Sequence, residues 1–223
     1  MAGATGGRDT GMINVENVNK IFPRYPKTVF DKGWVYGVWY CGTTFRSARL
    51  YGEYPPTFLR RALALFPSAK DILHCPSGSV MGPGITVDIQ HTEVIRPQII
   101  ADAAHLPFMN HSFDLILSDP PYSDKDAENY GTGHFPLQKF MREALRILRP
   151  GGYLGMLHIF YPSYRRKEGW ALVALICVVT GFSKKTRIFS IFQKSNQLQL
   201  AKWESQKAWV VQESPSLKLS EED

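Results

Sequence analysis

Short apolar runs alternate along this chain with segments of helical periodicity, the pattern of strands joined through helices into a mostly parallel sheet. Thr57 to Phe66 follows Pro55-Pro56 and sets Phe58, Leu59, Ala62, Leu63 and Phe66 on one helical face, with Arg60 and Arg61 turned away. A strand is expected at Asp71 to Cys75, then a loop with Gly78, Gly82 and Gly84, then a second strand at Ile85 to Val87 closing on Asp88. Ile99 to Asp102 reads as a third strand, and Phe113 to Ser118 as a fourth that runs into Asp119-Pro120-Pro121-Tyr122. From Leu137 to Leu148 the i, i+3, i+4 rule holds at Leu137, Phe140, Met141, Ala144, Leu145 and Leu148, and Pro150-Gly151-Gly152 stops the helix. Tyr153 to Phe160 is expected as a strand, Glu168 to Thr180 as an apolar helix, and Arg187 to Gln193 and Lys207 to Gln212 as two final strands.

Composition narrows the picture. The 223 residues, 44% of them apolar and 13% aromatic, suffice for one substantial core, and no internal repeat or linker divides the middle. The expected organisation is a disordered N-terminus over 1–12, an N-terminal extension over 13–53, a main domain over 54–212 and a disordered acidic tail over 213–223. The formal charge is +6, and the tail holds Glu213, Glu221, Glu222 and Asp223 against Lys218, so the body is more basic than the total. That surplus favours polyanionic partners. Cys41, Cys75 and Cys177 are odd in number and widely separated, which argues against a disulfide framework and for a reducing cytoplasm. The six histidines show no ligand spacing, so no metal is expected. The N-terminus lacks a signal-peptide pattern, and the longest apolar run, Trp170 to Thr180, is too short to cross a bilayer.

The chemistry concentrates at Asp119-Pro120-Pro121-Tyr122. The Asp carboxylate and the Pro120 carbonyl both accept hydrogen bonds from an exocyclic NH2, the prolines hold these groups at a fixed angle, and the Tyr122 ring suits stacking on the base that carries the amine. Open α/β sheets bind ligands at the carboxyl ends of their strands, where this turn sits. Asp88, ending the second strand, is placed to bind ribose hydroxyls, and the glycine loop before it admits a ligand that a Cβ would exclude. No Lys-Ser or Lys-Thr follows those glycines, against a P-loop.

These segments together resemble the class I S-adenosylmethionine-dependent methyltransferases, from about residue 54 to 212. The likeness is carried by Ala101-Asp102-Ala103-Ala104-His105-Leu106-Pro107-Phe108, by Ser112 through Tyr122, and by Glu143 through Gly152, in the family's order. The resemblance implies a single-domain Rossmann-like fold with a mostly parallel, seven-stranded sheet and helices on both faces. It implies Ser77 and Gly78 near the methionine moiety, Asp88 on the ribose, Asp102 and Ala103 on the adenine, and Tyr54 and Pro55 closing the cofactor pocket. Asp119 stands at both the cofactor and the target, with Pro120, Pro121 and Tyr122 holding the base. The Asp-Pro-Pro-Tyr signature is similar to that of enzymes methylating adenine N6 or cytosine N4 of DNA. RNA bases, and a catalytically silent fold serving as a nucleic-acid-binding subunit, stay open as alternatives. The chain departs from the family at His74-Cys75-Pro76-Ser77-Gly78, where Gly-x-Gly is usual, and too few residues precede Asp88 for a full crossover helix. Arg165-Arg166-Lys167, after the fifth strand, forms a basic cluster suited to phosphate, and the loop Ser123 to Phe135 is read as a lid. Oligomeric state is not legible.

Overall fold

The computed structural model describes residues 12–24, 26–42, 54–123, 127, 133–181 and 186–195. Nine strands within them make one sheet: β1 Val29–Asp31, β2 Trp34–Tyr40, β3 Ile72–His74, β4 Ile85–Asp88, β5 Ile99–Ile100, β6 Phe113–Ser118, β7 Leu148–His158, β8 Trp170–Val179 and β9 Thr186–Lys194. Their order is β1-β2-β8-β9-β7-β6-β3-β4-β5. Pairs β2/β8, β6/β7, β3/β6, β3/β4 and β4/β5 run parallel, and β1/β2, β7/β9 and β8/β9 antiparallel. The sheet is mixed but mostly parallel and Rossmann-like, with nine strands where seven are expected. Strands β1, β2 and β8 are the unforeseen ones, and the strand expected at Lys207 to Gln212 lies outside the described residues.

Helices α1 (Val15–Ile21) and α2 (Phe58–Leu65) cover one face; α3 (Leu137–Ile147) covers the other. Beneath the first pair lie Trp39, Phe58, Leu65, Phe66, Leu115, Leu117, Tyr153 and Phe189; beneath α3 lie Phe113, Ile116, Phe140, Met141, Ile147, Leu154 and Phe192. Strand β6 thus sends Leu115 and Leu117 one way and Ile116 the other, which is why it reads as a continuous apolar run. Each fully buried side chain of this size contributes roughly 1.5–3 kcal/mol.

Two sequence expectations are corrected here. Residues 170–179 are strand β8, not a helix. The run Trp-Ala-Leu-Val-Ala-Leu-Ile-Cys-Val-Val carries no 3.6 period, and its β-branched residues suit a strand paired on both sides, to β2 and to β9. Arg61 does not face away: it is buried, its guanidinium 3.9 Å from the Phe22 ring centroid and donating to the Tyr40 carbonyl at 3.2 Å. The Arg stem covers apolar surface while its head meets a ring and a carbonyl, so a charged residue closes the gap between α2 and the start of the chain.

Two of the segments that carry the family likeness are stapled together. Glu143 of α3 accepts from the Leu106 N–H at 2.9 Å, and Arg146 donates to the Leu106 and Phe108 carbonyls at 2.9 and 2.7 Å and to Glu143 at 2.8 Å. Arg146→Met strands these acceptors and is expected to cost about 2–3 kcal/mol in urea unfolding at pH 7. The Arg146 hydrogen bond, and that of the Leu106 N–H, holds Glu143 below the usual carboxylate range against the opposing effect of burial. A depressed carboxyl stabilises above its ordinary range and loses that contribution as pH falls through the folded value. The variant should therefore lose less stability than the parent between pH 5 and pH 3.

Candidate active site

Strands β3, β4 and β5 and neighbouring β6 run parallel, so their carboxyl ends open together onto one cavity of about 300 Å³. Cys75 and Gly78 line it from beyond β3, Asp88 from the end of β4, Ala101 to Ala104 from beyond β5, and Asp119 and Pro121 from beyond β6. Gly133 to Pro136 and Lys139, at the start of α3, form the opposite wall.

The chain leaves β3 through a cis Cys75–Pro76 bond and reaches β4 in turns, with no helix between the strands. The Ser77 N–H donates to the Val87 carbonyl at 2.9 Å, which locks the loop to β4. Gly78, at φ +52°, turns its N–H onto Asp88 Oδ2 at 2.8 Å, and the Gln90 N–H donates to Oδ1 at 3.1 Å. Asp88 is therefore a buried carboxylate fixed by two backbone donors, with lone pairs left for hydroxyls. Asp102 Oδ1 accepts from the Ala104 N–H at 2.8 Å, which rounds off the β5 turn and leaves the carboxylate exposed at the rim, while Ala103 is buried in the wall.

Asp119 directly follows β6 and is largely buried. The Tyr122 hydroxyl donates to its Oδ1 at 2.6 Å, and Arg187 of β9 lies 3.7 Å from its Oδ2. Burial pushes the Asp119 carboxyl up to about 6, with the Arg187 guanidinium and the Tyr122 hydroxyl limiting the rise. The Tyr122 ring meets His158 edge-on at 4.9 Å, and the Arg187 guanidinium sits 5.5 Å from its centroid. Cys75 also lines the cavity, but burial, then Asp88 and Asp102, push its thiol well above the usual range, so it remains protonated and is no nucleophile.

Of the residues singled out from sequence, Gly78, Asp88, Asp102, Ala103, Asp119 and Pro121 line this one cavity. Tyr54, Pro55, Ser77, Pro120 and Tyr122 do not. Tyr54 is buried against Phe58 and His74, its hydroxyl 3.5 Å from His74 Nδ1. Ser77 is buried in the loop beneath Gly78. Arg165, Arg166 and Lys167 are exposed around a short 3-10 turn, Arg166–Glu168, apart from the lining. In the lid segment, residues 124–126 and 128–132 lie outside the described residues. Phe135, the end of the expected lid, lines the cavity; sequence reading missed Ile89, Ile95, Lys139 and Arg187. Ile89 directly follows Asp88 and was within reach of a strand-end argument; Arg187 reaches the site only because β9 lies beside β7 in the sheet. Among the described residues no cluster of metal-ligating side chains converges, and no helix is long and apolar enough to cross a membrane.

Residues 86–156, from β4 into β7, match the family model described as a methyltransferase domain. No curated protein matches the chain. Among solved structures, TrmN from Thermus thermophilus is 22% identical with a TM-score of 0.43, over 66% of this chain and 51% of that one, so the chain spans about half the length of that protein. A protein provisionally described as a methyltransferase, solved in complex with the Haloferax volcanii Trm112 methyltransferase activator, is 14% identical with a TM-score of 0.39, over 62% and 89% of the two chains. A second Thermus thermophilus protein, provisionally described as a DNA modification methylase, is 20% identical with a TM-score of 0.32, over 43% and 52%. The matched segment contains Asp88, Asp102, Ala103 and the whole Asp119 to Tyr122 turn, and the match supports an enzyme that transfers methyl groups from an S-adenosylmethionine-type donor.

Proposed function

We propose that this protein is an S-adenosylmethionine-dependent N-methyltransferase acting on an exocyclic amine of a nucleic acid base, adenine N6 or cytosine N4 of DNA, in a reducing cytoplasm. The observation that carries the reading is Asp119: a largely buried hydrogen-bond acceptor at a strand end, on the wall of a cavity whose other acids are Asp88 and Asp102. The cavity fits the cofactor. Three carboxylates against Lys139 favour a cationic ligand, Ile89, Ile95, Ala103 and Phe135 offer apolar surface to a purine ring, and the volume is in the small-ligand range. Asp88 would take the ribose hydroxyls, Asp102 and Ala103 the adenine, and Gly78 the amino-acid end.

When bound, the cofactor supplies an electrophilic methyl group. Asp119 and the Pro120 carbonyl accept from the target amine and aim its nitrogen, which converts much of the barrier into prior positioning. A carboxylate has about four acceptor sites, so Asp119 can hold Tyr122 and the amine together. As positive charge grows on the nitrogen, the buried carboxylate stabilises it more than an exposed one would. Raised to about 6, Asp119 is also a better acceptor for the proton released afterwards than an ordinary carboxylate. Tyr122 would meet the plane of the base, which offsets part of the few kcal/mol that unstacking costs.

Labelled methyl transfer to DNA, RNA and protein, followed by nucleoside analysis, tests this. Label in methyladenine or methylcytosine of DNA is the expected result. Label in RNA alone transfers the mechanism to that polymer, and absence of both transfer and cofactor binding leaves a silent fold and sinks the reading.

A further inference from the structure

We infer that the surface just beyond β7 is a track for single-stranded nucleic acid, on which Phe160 and Tyr161 stack with bases flanking the target while the Arg165 to Lys167 turn meets the backbone phosphates. This deepens the reading above and rests on it.

Strand β7 is buried through Leu154, Met156, Leu157 and His158, and then the burial stops: Ile159, Phe160 and Tyr161 are 45%, 46% and 49% exposed. Trp34, Tyr36 and Val38 also form an exposed apolar row, alternating along the open side of β2, but among the described residues Ile159 to Tyr161 is the one consecutive run of exposed large apolar side chains. Consecutive exposed apolar residues carry a cost that function justifies. The run also lies where ligands bind, at the carboxyl end of a central strand. The Phe160 ring is 4.0 Å from that of His158, which is 4.9 Å from that of Tyr122, whose hydroxyl is bonded to Asp119. A series of rings therefore leads from the proposed target acceptor to the surface.

The following loop is anchored rather than loose. Pro162 is buried, the Tyr164 ring packs on Phe192 at 5.2 Å, Gln138 of α3 donates to the Ser163 carbonyl at 3.2 Å, and the Glu168 N–H closes the turn on the Arg165 carbonyl at 3.0 Å. Phe160 and Tyr161 precede this loop and Arg165, Arg166 and Lys167 close it, all five exposed, with Glu168 the acid beside them. Aromatic faces next to a net positive turn suit a strand that offers bases and phosphates together. Duplex hides its base faces in the stack, so the match is to single-stranded or locally opened nucleic acid.

The test is equilibrium binding of labelled single-stranded and duplex oligonucleotides across a salt series, with circular dichroism melts as a check on folding. Phe160→Ser with Tyr161→Ser is expected to weaken single-strand binding about tenfold or more while keeping the salt slope, since stacking releases no counterions. Arg165→Gln with Arg166→Gln is expected to lower that slope by about 1.4, at roughly 0.7 per phosphate contact on a single strand. Abasic residues beside the target should weaken the parent and leave the aromatic variant unchanged. Tyr161→Ser alone, expected to show a smaller loss in the same direction, serves if the double variant melts. Unchanged affinity in the aromatic variants, with methylation of nucleic acid intact in the parent, overturns the track alone and points the surface to a protein. A parent that neither binds nor methylates any oligonucleotide overturns both the track and the function it rests on.

Discussion

Asp119→Ala is expected to lower kcat/KM for methyl transfer by about 10²–10³, the scale seen when one preorganised polar group is removed from a reacting centre. The larger part of the loss should fall on kcat, with a smaller drop in cofactor affinity because Asp88 and Asp102 remain. In the parent, activity should decline below about pH 6 as the Asp119 carboxyl protonates and ceases to stabilise positive charge, and a pH profile of kcat tests this. The same carboxylate costs stability. Its folded value, about 6, lies above the ordinary 3.8, so its stabilising contribution is complete below the ordinary value and is lost as pH rises through 6. Asp119→Asn should therefore be the more stable protein at pH 8, by on the order of 2 kcal/mol, with the difference closing as pH falls from 6 towards 4. Equal stability of variant and parent across that range would mean that Asp119 is better solvated than its position indicates.

Gly84→Ala is expected to be among the most damaging single-methyl additions to the chain. Gly84 sits at φ +114°, which a side chain rarely adopts, and a Cβ there would lie 2.6 Å from the Ile72 carbonyl oxygen. Neither problem relaxes cheaply, because Ile72 begins β3 and that oxygen is backbone. Strain and overpacking together predict a loss of about 3–5 kcal/mol, measured by urea unfolding. Gly133→Ala, where nothing lies within 4 Å of the added atom, is the control and should be near neutral. Cofactor affinity should fall with Gly84→Ala even in the fraction that folds, because the β3 to β4 connection also carries Gly78 and presents Asp88.

Much of the fold was legible because local signals agreed with the tertiary answer. Helices α2 and α3 lie within a residue or so of where their apolar spacing and flanking prolines placed them, and β6 stands where its apolar run stops at Asp-Pro-Pro. Strand β8 failed for a physical reason: buried within the sheet and paired on both edges, it needs no polar face, and without a face it has no period. Strand β2 was hidden in the same way, since Trp34, Tyr36 and Val38 on its open side are as apolar as Val35 and Trp39 on its buried side. The wall of the site was readable as far as each strand end declared its own acid. Arg187, which sets the environment of Asp119, depends on strand order, and no local pattern encodes order.

That order gives strands β1 and β2 a protective role. Strand β8 is ten consecutive apolar residues, and its free side is covered by β2 in a parallel register from Val35↔Ala174 to Tyr40↔Val179. A fragment beginning at residue 54 would keep every side chain of the cavity wall and yet leave this strand as an unguarded, self-complementary template for other copies. The β1–β2 hairpin thus shields β8 from edge-to-edge pairing, and a chain shortened to its cavity wall is expected to aggregate.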